Sequence, residues 1–303
     1  MTIHVVGNLC IDTTLGVERF PAPGETLVAT SSRSGLGGKG LNQAVAAART
    51  GAPVTLRAPV GIADRERLIV DLAGERGLIL RLAATALPTD ASVILVRPDG
   101  ENVIVSTTAA ARLFDPLAET DLRHAIAAGD TLLMQGNLPA ETTRACLAEA
   151  RRRGAVTVLN PSPLWSAGGP IWSDVDWLVL NEGELRAISG DAEVETGAVA
   201  VLVWGAGAVV VTRGARGVLC LAGPDRIEIE APAAVARDTS GAGDVFCGVL
   251  VGLLASGHAK VEALARATAA ASLSVTRPGA LASCPSAEEM VALPSPVHHR
   301  RVR

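Results

Sequence analysis

Asp244 opens a long apolar run, Val245 to Ala255, directly behind the small-residue turn Thr239-Ser240-Gly241-Ala242-Gly243. A turn of this kind feeding a helix leaves backbone N–H groups without intrahelical partners. They stand at the positive end of the helix dipole, where a phosphate or a developing anion is stabilised. Glycine lets the anion come close, because no Cβ intervenes. A carboxylate beside such a cradle supplies what phosphoryl transfer to a hydroxyl still needs, an acceptor for the proton. The plainer reading is that Asp244 only complements the helix dipole, worth about a few tenths of a kcal/mol.

Other residues of the right chemistry are spread along the chain. Asp12, in Cys10-Ile11-Asp12, follows the short apolar strand Ile3–Val6 and Gly7. That position, just past a strand's carboxyl end, is where open α/β sheets bind ligands; a turn-forming Asp is the alternative. Gly35-Leu36-Gly37-Gly38-Lys39-Gly40 matches G-x-G-x-x-G by letter. No buried strand immediately precedes it and the following acid is poorly placed, which speaks against a dinucleotide site. A P-loop fails too, since Gly40 stands where Ser or Thr should follow Lys39. A helix follows from Leu41 to Thr50, with Asn42 and Gln43 in its first turn. Close backbone approach with Lys39 and Asn42 suits fixed hydrogen bonds to a polyhydroxy ligand; the alternative is a helix entry with a solvated lysine. Asn181 and Glu184 end the strand Trp177–Leu180 and fit the N-cap and N3 positions of a capping box. The same pair stands at a strand end where a metal-bound phosphate can sit. Arg213-Gly214-Ala215-Arg216-Gly217, after the strand Val209–Thr212, is a further turn whose N–H groups can meet phosphates.

The elements that must position these residues alternate. Strands are expected at Val54–Val60, Thr131–Gln135, Val156–Asn160, Val218–Leu221 and Ile227–Glu230. Helices are expected over Arg65–Arg76, Leu117–Ala127, Ala140–Arg153, Val261–Val275 and Ala287–Leu293. This rhythm implies an α/β fold, a doubly wound, mostly parallel sheet with helices on both faces. Pro98-Asp99-Gly100-Glu101 joins Ala91–Arg97 to Asn102–Ser106 as a hairpin. With the Pro- and Gly-punctuated segment from Phe20 to Ser32 it forms a small β appendage. The chain therefore reads as one domain, 1–303, with a small β lid from about 12–34 and 90–107.

Composition narrows the partners. A net charge of −4 without a basic stripe excludes nucleic acid as the main partner. The five cysteines, Cys10, Cys146, Cys220, Cys247 and Cys284, are scattered without CxxC spacing, as reduced thiols of a cytoplasmic protein would be. No signal peptide and no apolar run of membrane-spanning length is read. The tail His298-His299-Arg300-Arg301-Val302-Arg303 reads as a disordered end, and two His are too few for a metal site.

Four motifs in this order resemble the ribokinase-like (PfkB) carbohydrate kinase family, closest to its ribokinase branch. They are Gly35 to Ala48, Asn181-x-x-Glu184, Thr212 to Gly217, and Asp238 to Phe246, and the likeness runs from about Ile3 to Pro285. The resemblance implies an ATP-dependent sugar kinase with a β-sheet lid that often forms a homodimer contact. It makes Asp244 the catalytic base and Gly241, Ala242 and Gly243 the anion hole. Asn181 and Glu184 would act near Mg²⁺ and the phosphates. Thr212, Arg213, Gly214 and Gly217 would hold nucleotide. Asp12, Gly38, Lys39 and Asn42 would bind the sugar. A monovalent-cation (K⁺) loop would use Asp238 and Ser240 on one side, and Ser274, Arg277, Gly279 and Ser283 on the other.

The departures concern the acceptor. Cys10 stands where the ribokinase branch has an Asn that touches ribose, and Asn137 stands where it has a Glu. Losing hydrogen-bonding partners at a polyol site can cost orders of magnitude in discrimination. The expected reaction is transfer of the γ-phosphoryl group of ATP to a primary hydroxyl of a pentose-sized sugar or polyol. The alternatives are a nucleoside kinase of the same fold and a sugar-binding protein without turnover; retention of Asp244 beside the glycine-rich turn speaks against the latter.

Overall fold

A computed structural model describes residues 1–165, 172–293 and 300–301. Its strands are β1 (Ile3–Val6), β2 (Cys10–Gly16), β3 (Ser31–Gly37), β4 (Val54–Gly61), β5 (Leu78–Thr85), β6 (Ala91–Val96) and β7 (Asn102–Ser106). They continue with β8 (Thr131–Gln135), β9 (Val156–Asn160), β10 (Trp177–Asn181), β11 (Ala208–Thr212), β12 (Val218–Ala222), β13 (Asp225–Ile229) and β14 (Arg300–Arg301). Among the described residues the larger sheet has the order β14-β13-β12-β11-β10-β9-β8-β1-β4-β5. It is parallel from β5 to β11 and antiparallel beyond. Its central strands read as continuous apolar runs because both faces are covered. Ile3 and Val5 of β1 enter one core, and Val6 enters the other. Helices lie on both faces, as the alternation of elements implies.

The first core contains the two helices that matter for chemistry, Lys39–Ala48 and Ala242–Ala255. They pack closely because Gly248 and Gly252 have no side chain. A Cβ on Gly248 would lie 2.4 Å from the carbonyl oxygen of Gln43, and one on Gly252 would lie 2.3 Å from Thr50 Oγ1. This contact brings the N-termini of the two helices together at one end of the sheet.

The smaller sheet has the order β3-β2-β6-β7. Residues directly paired share a face. Asp12 pairs with Ser92, Ser92 with Ser106, and Ile94 with Ile104, so these side chains face the main body. Val93, Leu95, Val103 and Val105 lie on the outer face, and Val105 is 68% exposed.

Several expectations are corrected. Cys10 and Asp12 lie in β2 of the smaller sheet and not in a turn, and β3, exposed for most of its length, runs into Gly37. The chain from Leu117 to Ala127 holds two single turns, Pro116–Glu119 and Leu122–Ala125. It breaks where Asp121 turns to Arg57, a guanidinium only 1% exposed that donates to Asp121 Oδ1 at 2.8 and 3.1 Å. A buried charge without a partner would be far costlier than a broken helix. The helix from Arg65 stops at Asp71. Strand β5 and the helix Val194–Val203 were not foreseen; the latter is apolar nearly all round and shows no helical stripe. The reading of the tail falls outside the described residues, except that Arg300–Arg301 pairs with β13 as a short strand. All five cysteines are unpaired and buried, and among the described residues no helix is long and apolar enough to cross a membrane.

Candidate active site

Gly241 caps the helix Ala242–Ala255 in the left-handed region, at φ 77°. A Cβ there would be strained and would sit 2.8 Å from the Cα of Ala280. The first regular helical bond is from Val245 N–H to Gly241 O, at 2.9 Å. Before it, Ala242 N–H reaches Thr239 O at 3.4 Å, while the N–H groups of Gly243 and Asp244 have no backbone acceptor among the described residues.

Asp244 is 4% exposed. Its Oδ1 accepts from Gln43 Nε2 at 2.9 Å and meets Lys39 Nζ at 3.5 Å, while Oδ2 accepts from Asn42 Nδ2 at 3.1 Å. Lys39, Asn42 and Gln43 are spaced i, i+3, i+4 and so share one helix face. Burial works against the Lys39 ammonium, but the charges of Asp244 and Glu184 outweigh it and hold its pKa above the usual lysine value.

The start of that helix is set by the loop after β1. Asn8 Oδ1 accepts from Gly40 N–H at 3.2 Å, and Asn8 O accepts from Leu41 N–H at 3.1 Å. Gly38, at φ 95°, allows the approach; a Cβ there would lie 3.0 Å from Asn8 O. Asn8 also donates to Cys10 Sγ at 3.1 Å. The Cys10 thiol is pushed up to about 12, mainly by burial and then by the charges of Asp12 and Asp90.

Asp12 lies across the cleft from Asp244. Burial raises its carboxyl pKa, a hydrogen bond from Ser92 opposes the rise, and the charge of Asp244 adds to it. Its Oδ2 fills the space where Gly37 would otherwise carry a Cβ, 1.8 Å away. Asp12 Oδ1, Asn42 Oδ1 and Asn137 Oδ1 are buried acceptors without a protein partner. Leaving such groups unpaired is costly, and the hydroxyls of a polyol are donors that would satisfy them.

A cavity of about 280 Å³ continues from Asp244 and Lys39 to Asn181, Glu184, Thr212 and Gly241. Asn181 and Glu184 form the capping box, at 2.8 and 2.9 Å, and line the cavity as well. The capping box is thus observed, and the same two residues face the cavity. Arg213, Gly214 and Gly217 are not in its lining. Arg213 pairs with Glu228 at 2.7 Å, and Gly217 is required by packing, since a Cβ would meet Ile229 O at 2.0 Å. A larger hollow of about 850 Å³ lies elsewhere, by Arg49, Arg76 and Cys284, and is crossed by the pairs Arg49–Glu75 and Arg277–Glu289.

The two segments expected to hold a monovalent cation do come together. Asp238 Oδ1 accepts from Ser240 N–H at 2.9 Å, and Oδ2 accepts from Gly279 N–H at 2.7 Å. Val275 O accepts from both Arg237 and Asp238 N–H. Ser274 and Ser283 turn their hydroxyls to Ala271 O and Ala280 O, and the Arg277 side chain leaves for Glu289. The Asp238 carboxylate thus stitches the loops, and its remaining lone pairs, with the backbone carbonyls, are the oxygens a cation could use.

Sequence reasoning missed the residues behind Asp244. Gln135 Nε2 donates to Gln43 Oε1 at 2.9 Å, and Gln43 Nε2 also donates to Asn160 Oδ1 at 3.0 Å. The acceptor and donor ends of the Gln43 amide are therefore both fixed, and Asp244 is held by a buried chain of amides. The i, i+3, i+4 spacing of Lys39, Asn42 and Gln43 was the available signal.

Unpaired N–H groups at a helix start, a buried carboxylate beside them and a cavity that reaches Asn102 and Ile104 of the smaller sheet are the groups that phosphoryl transfer to a hydroxyl uses. The model of the pfkB family carbohydrate kinase matches residues 2–287. The chain belongs to that family and is an ATP-dependent carbohydrate kinase. It is 32% identical to the ribokinase of Haemophilus influenzae over 296 residues, covering 95% of this chain and 96% of that protein. The ribokinase structure from Thermotoga maritima superposes with a TM-score of 0.86 at 32% identity, covering 96% and 98% of the two chains. That of Arabidopsis thaliana ribokinase, complexed with ribose and ATP, gives 0.83 at 27% identity, covering 96% and 97%.

Proposed function

We propose that the chain transfers the γ-phosphoryl group of ATP to a primary hydroxyl of ribose or a closely related pentose-sized sugar or polyol, with Asp244 as the base. The observation that carries this is the buried Asp244 carboxylate, fixed by Gln43, Asn42 and Lys39 at a helix start where the N–H groups of Gly243 and Asp244 have no backbone acceptor among the described residues. Asp12, Gly38, Lys39, Asn42 and Asn137 bind the acceptor. Its oxygen forms the new bond to phosphorus as the bond to the β-phosphate oxygen breaks, and its proton passes to an oxygen of Asp244. The helix N-terminus stabilises the charge on the transferring group. Asn181, Glu184 and Thr212 hold the phosphate end of the nucleotide. Mg²⁺ neutralises phosphate charge when bound. Glu184, on the cavity wall, would stand near a Mg²⁺ bound with the nucleotide. The smaller sheet serves as the lid.

Kinase assays with ATP across pentoses, hexoses, polyols and nucleosides test the acceptor. Turnover of ribose or another pentose is expected; nucleosides as the sole good acceptors would overturn the reading. Within the pocket, Cys10 and Asn137 remove an amide and a carboxylate relative to the ribokinase branch. Cys10→Asn with Asn137→Glu is expected to raise kcat/KM for ribose relative to the native acceptor, measured with both single variants because the sites share one ligand. If the wild type already prefers ribose and the double variant is worse, the two differences are neutral repacking.

The loops around Asp238–Ser240 and Ser274–Ser283 would hold K⁺, which would order the Gly241 turn through Asp238. Activity at saturating Mg²⁺ and constant ionic strength is expected to be higher in K⁺ than in Na⁺; equal rates would remove the cation from the account. A second copy covers the outer face of the smaller sheet, where Val93, Val103 and Val105 are 45%, 42% and 68% exposed. Sedimentation is expected to show a dimer that Val93→Asp with Val105→Asp converts to a monomer; a monomeric wild type would rule out that pairing.

A further inference from the structure

One residue of the smaller sheet reaches the phosphate end of the site. Asn102, the first residue of β7, donates from Nδ2 to Ser240 Oγ at 3.1 Å, across 138 positions of sequence. The hairpin that precedes it also touches this segment: a Cβ on Gly100 would lie 3.2 Å from Arg237 O. Ser240 is held from the other side, its N–H bonded to Asp238, which in turn accepts from Gly279 N–H. The next residue is Gly241, whose left-handed conformation aims the free N–H groups of the helix. Asn102 and Ile104 line the same cavity as Gly241, Gly243 and Asp244.

The sheet that carries Asn102 also carries Asp12. In register, Asp12 pairs with Ser92 on β6, and Ser92 pairs with Ser106 on β7, with Ser106 Oγ donating to Ser92 Oγ at 3.0 Å. Acceptor side and phosphate side are thus joined through three hydrogen-bonded strands. We propose that Asn102 is a positioning residue for phosphoryl transfer: through Ser240 it holds the Gly241 turn in its working geometry, and it makes that geometry depend on the sheet that closes over the acceptor. This rests on the reading of Asp244 and the Gly241 turn as the transfer site.

Removing Asn102 leaves the turn its Ser240–Asp238 and Ala242–Thr239 bonds but takes away its link to the smaller sheet, while Asp12, Asn42, Asn181 and Glu184 keep their places. Asn102→Ala is expected to lower kcat about three- to tenfold, the factor one net hydrogen bond carries. KM for sugar and for ATP should stay within about twofold, and the melting temperature should fall by only about 2–4 °C, as the loss of one net hydrogen bond requires. A residue that merely stabilised the hairpin would show the same shift in melting temperature and leave kcat of the folded enzyme unchanged. Ser240→Ala should reproduce the loss, and the double variant should cost no more than either single one, because both remove the same bond. Additive losses would overturn the inference, since Asn102 would then act independently of Ser240. So would an unchanged kcat in Asn102→Ala when Asp244→Asn is inactive, which leaves the site reading in place. Full activity in Asp244→Asn would remove both.

Discussion

Asp244→Asn is expected to keep ATP binding and lose about 10²–10⁴-fold in kcat, the range that a positioned acid–base group contributes. The substitution preserves size and removes the proposed proton acceptor. It also puts an amide where the carboxylate accepted from Asn42 and Gln43, at 3.1 and 2.9 Å. One end of the new amide is a donor, so it faces at least one donor it cannot satisfy, and Lys39 loses its ionic partner 3.5 Å away. Both effects disturb the acceptor side, while Asn181, Glu184 and Thr212 are untouched. Steady-state kinetics alongside calorimetric titration of ATP separates the two. An Asn variant retaining more than a tenth of wild-type kcat would leave Asp244 with the helix-dipole role alone.

Gly241→Ala is the second large effect, expected to reduce kcat about 10²–10³-fold, as the loss of a donor to a developing anion does. The position has φ 77°, which an L side chain adopts only under strain, and the added Cβ would meet Ala280 Cα at 2.8 Å and Ala280 O at 3.0 Å. Relief requires the turn to move away from the Ala280 loop, and the N–H groups move with it. A Cβ at Gly243 would meet nothing within 4 Å. Thermal melts should therefore show Gly243→Ala as stable as the wild type and Gly241→Ala destabilised. If Gly241→Ala folds as stably and turns over as fast as the wild type, the turn does not need its left-handed conformation for catalysis.

The buried, continuous runs of β1, β8, β9 and β11 and their alternation with helices made the larger sheet legible, because a sheet covered on both faces imprints that pattern locally. The Gly241–Asp244 turn was legible for the same reason: small residues before an apolar helix create a free N-terminus wherever they occur. The capping box of Asn181 and Glu184 is likewise a matter of neighbours three residues apart. What the tertiary structure decided is who meets whom at long range. Gln43 meets Asp244 from 201 positions away, and Gln135 meets Gln43 from 92; no local spacing encodes either distance. Asp12 looked like a turn residue because β2 is short of apolar alternation, yet strand pairing with β3 and β6 extends it and carries its carboxylate over the cleft. The break at Asp121 likewise answers a guanidinium buried on β4, 64 positions earlier. Local chemistry determined which groups could stabilise charge or take a proton, and the close packing of the helices Lys39–Ala48 and Ala242–Ala255 through Gly248 and Gly252 determined that they stand at one place.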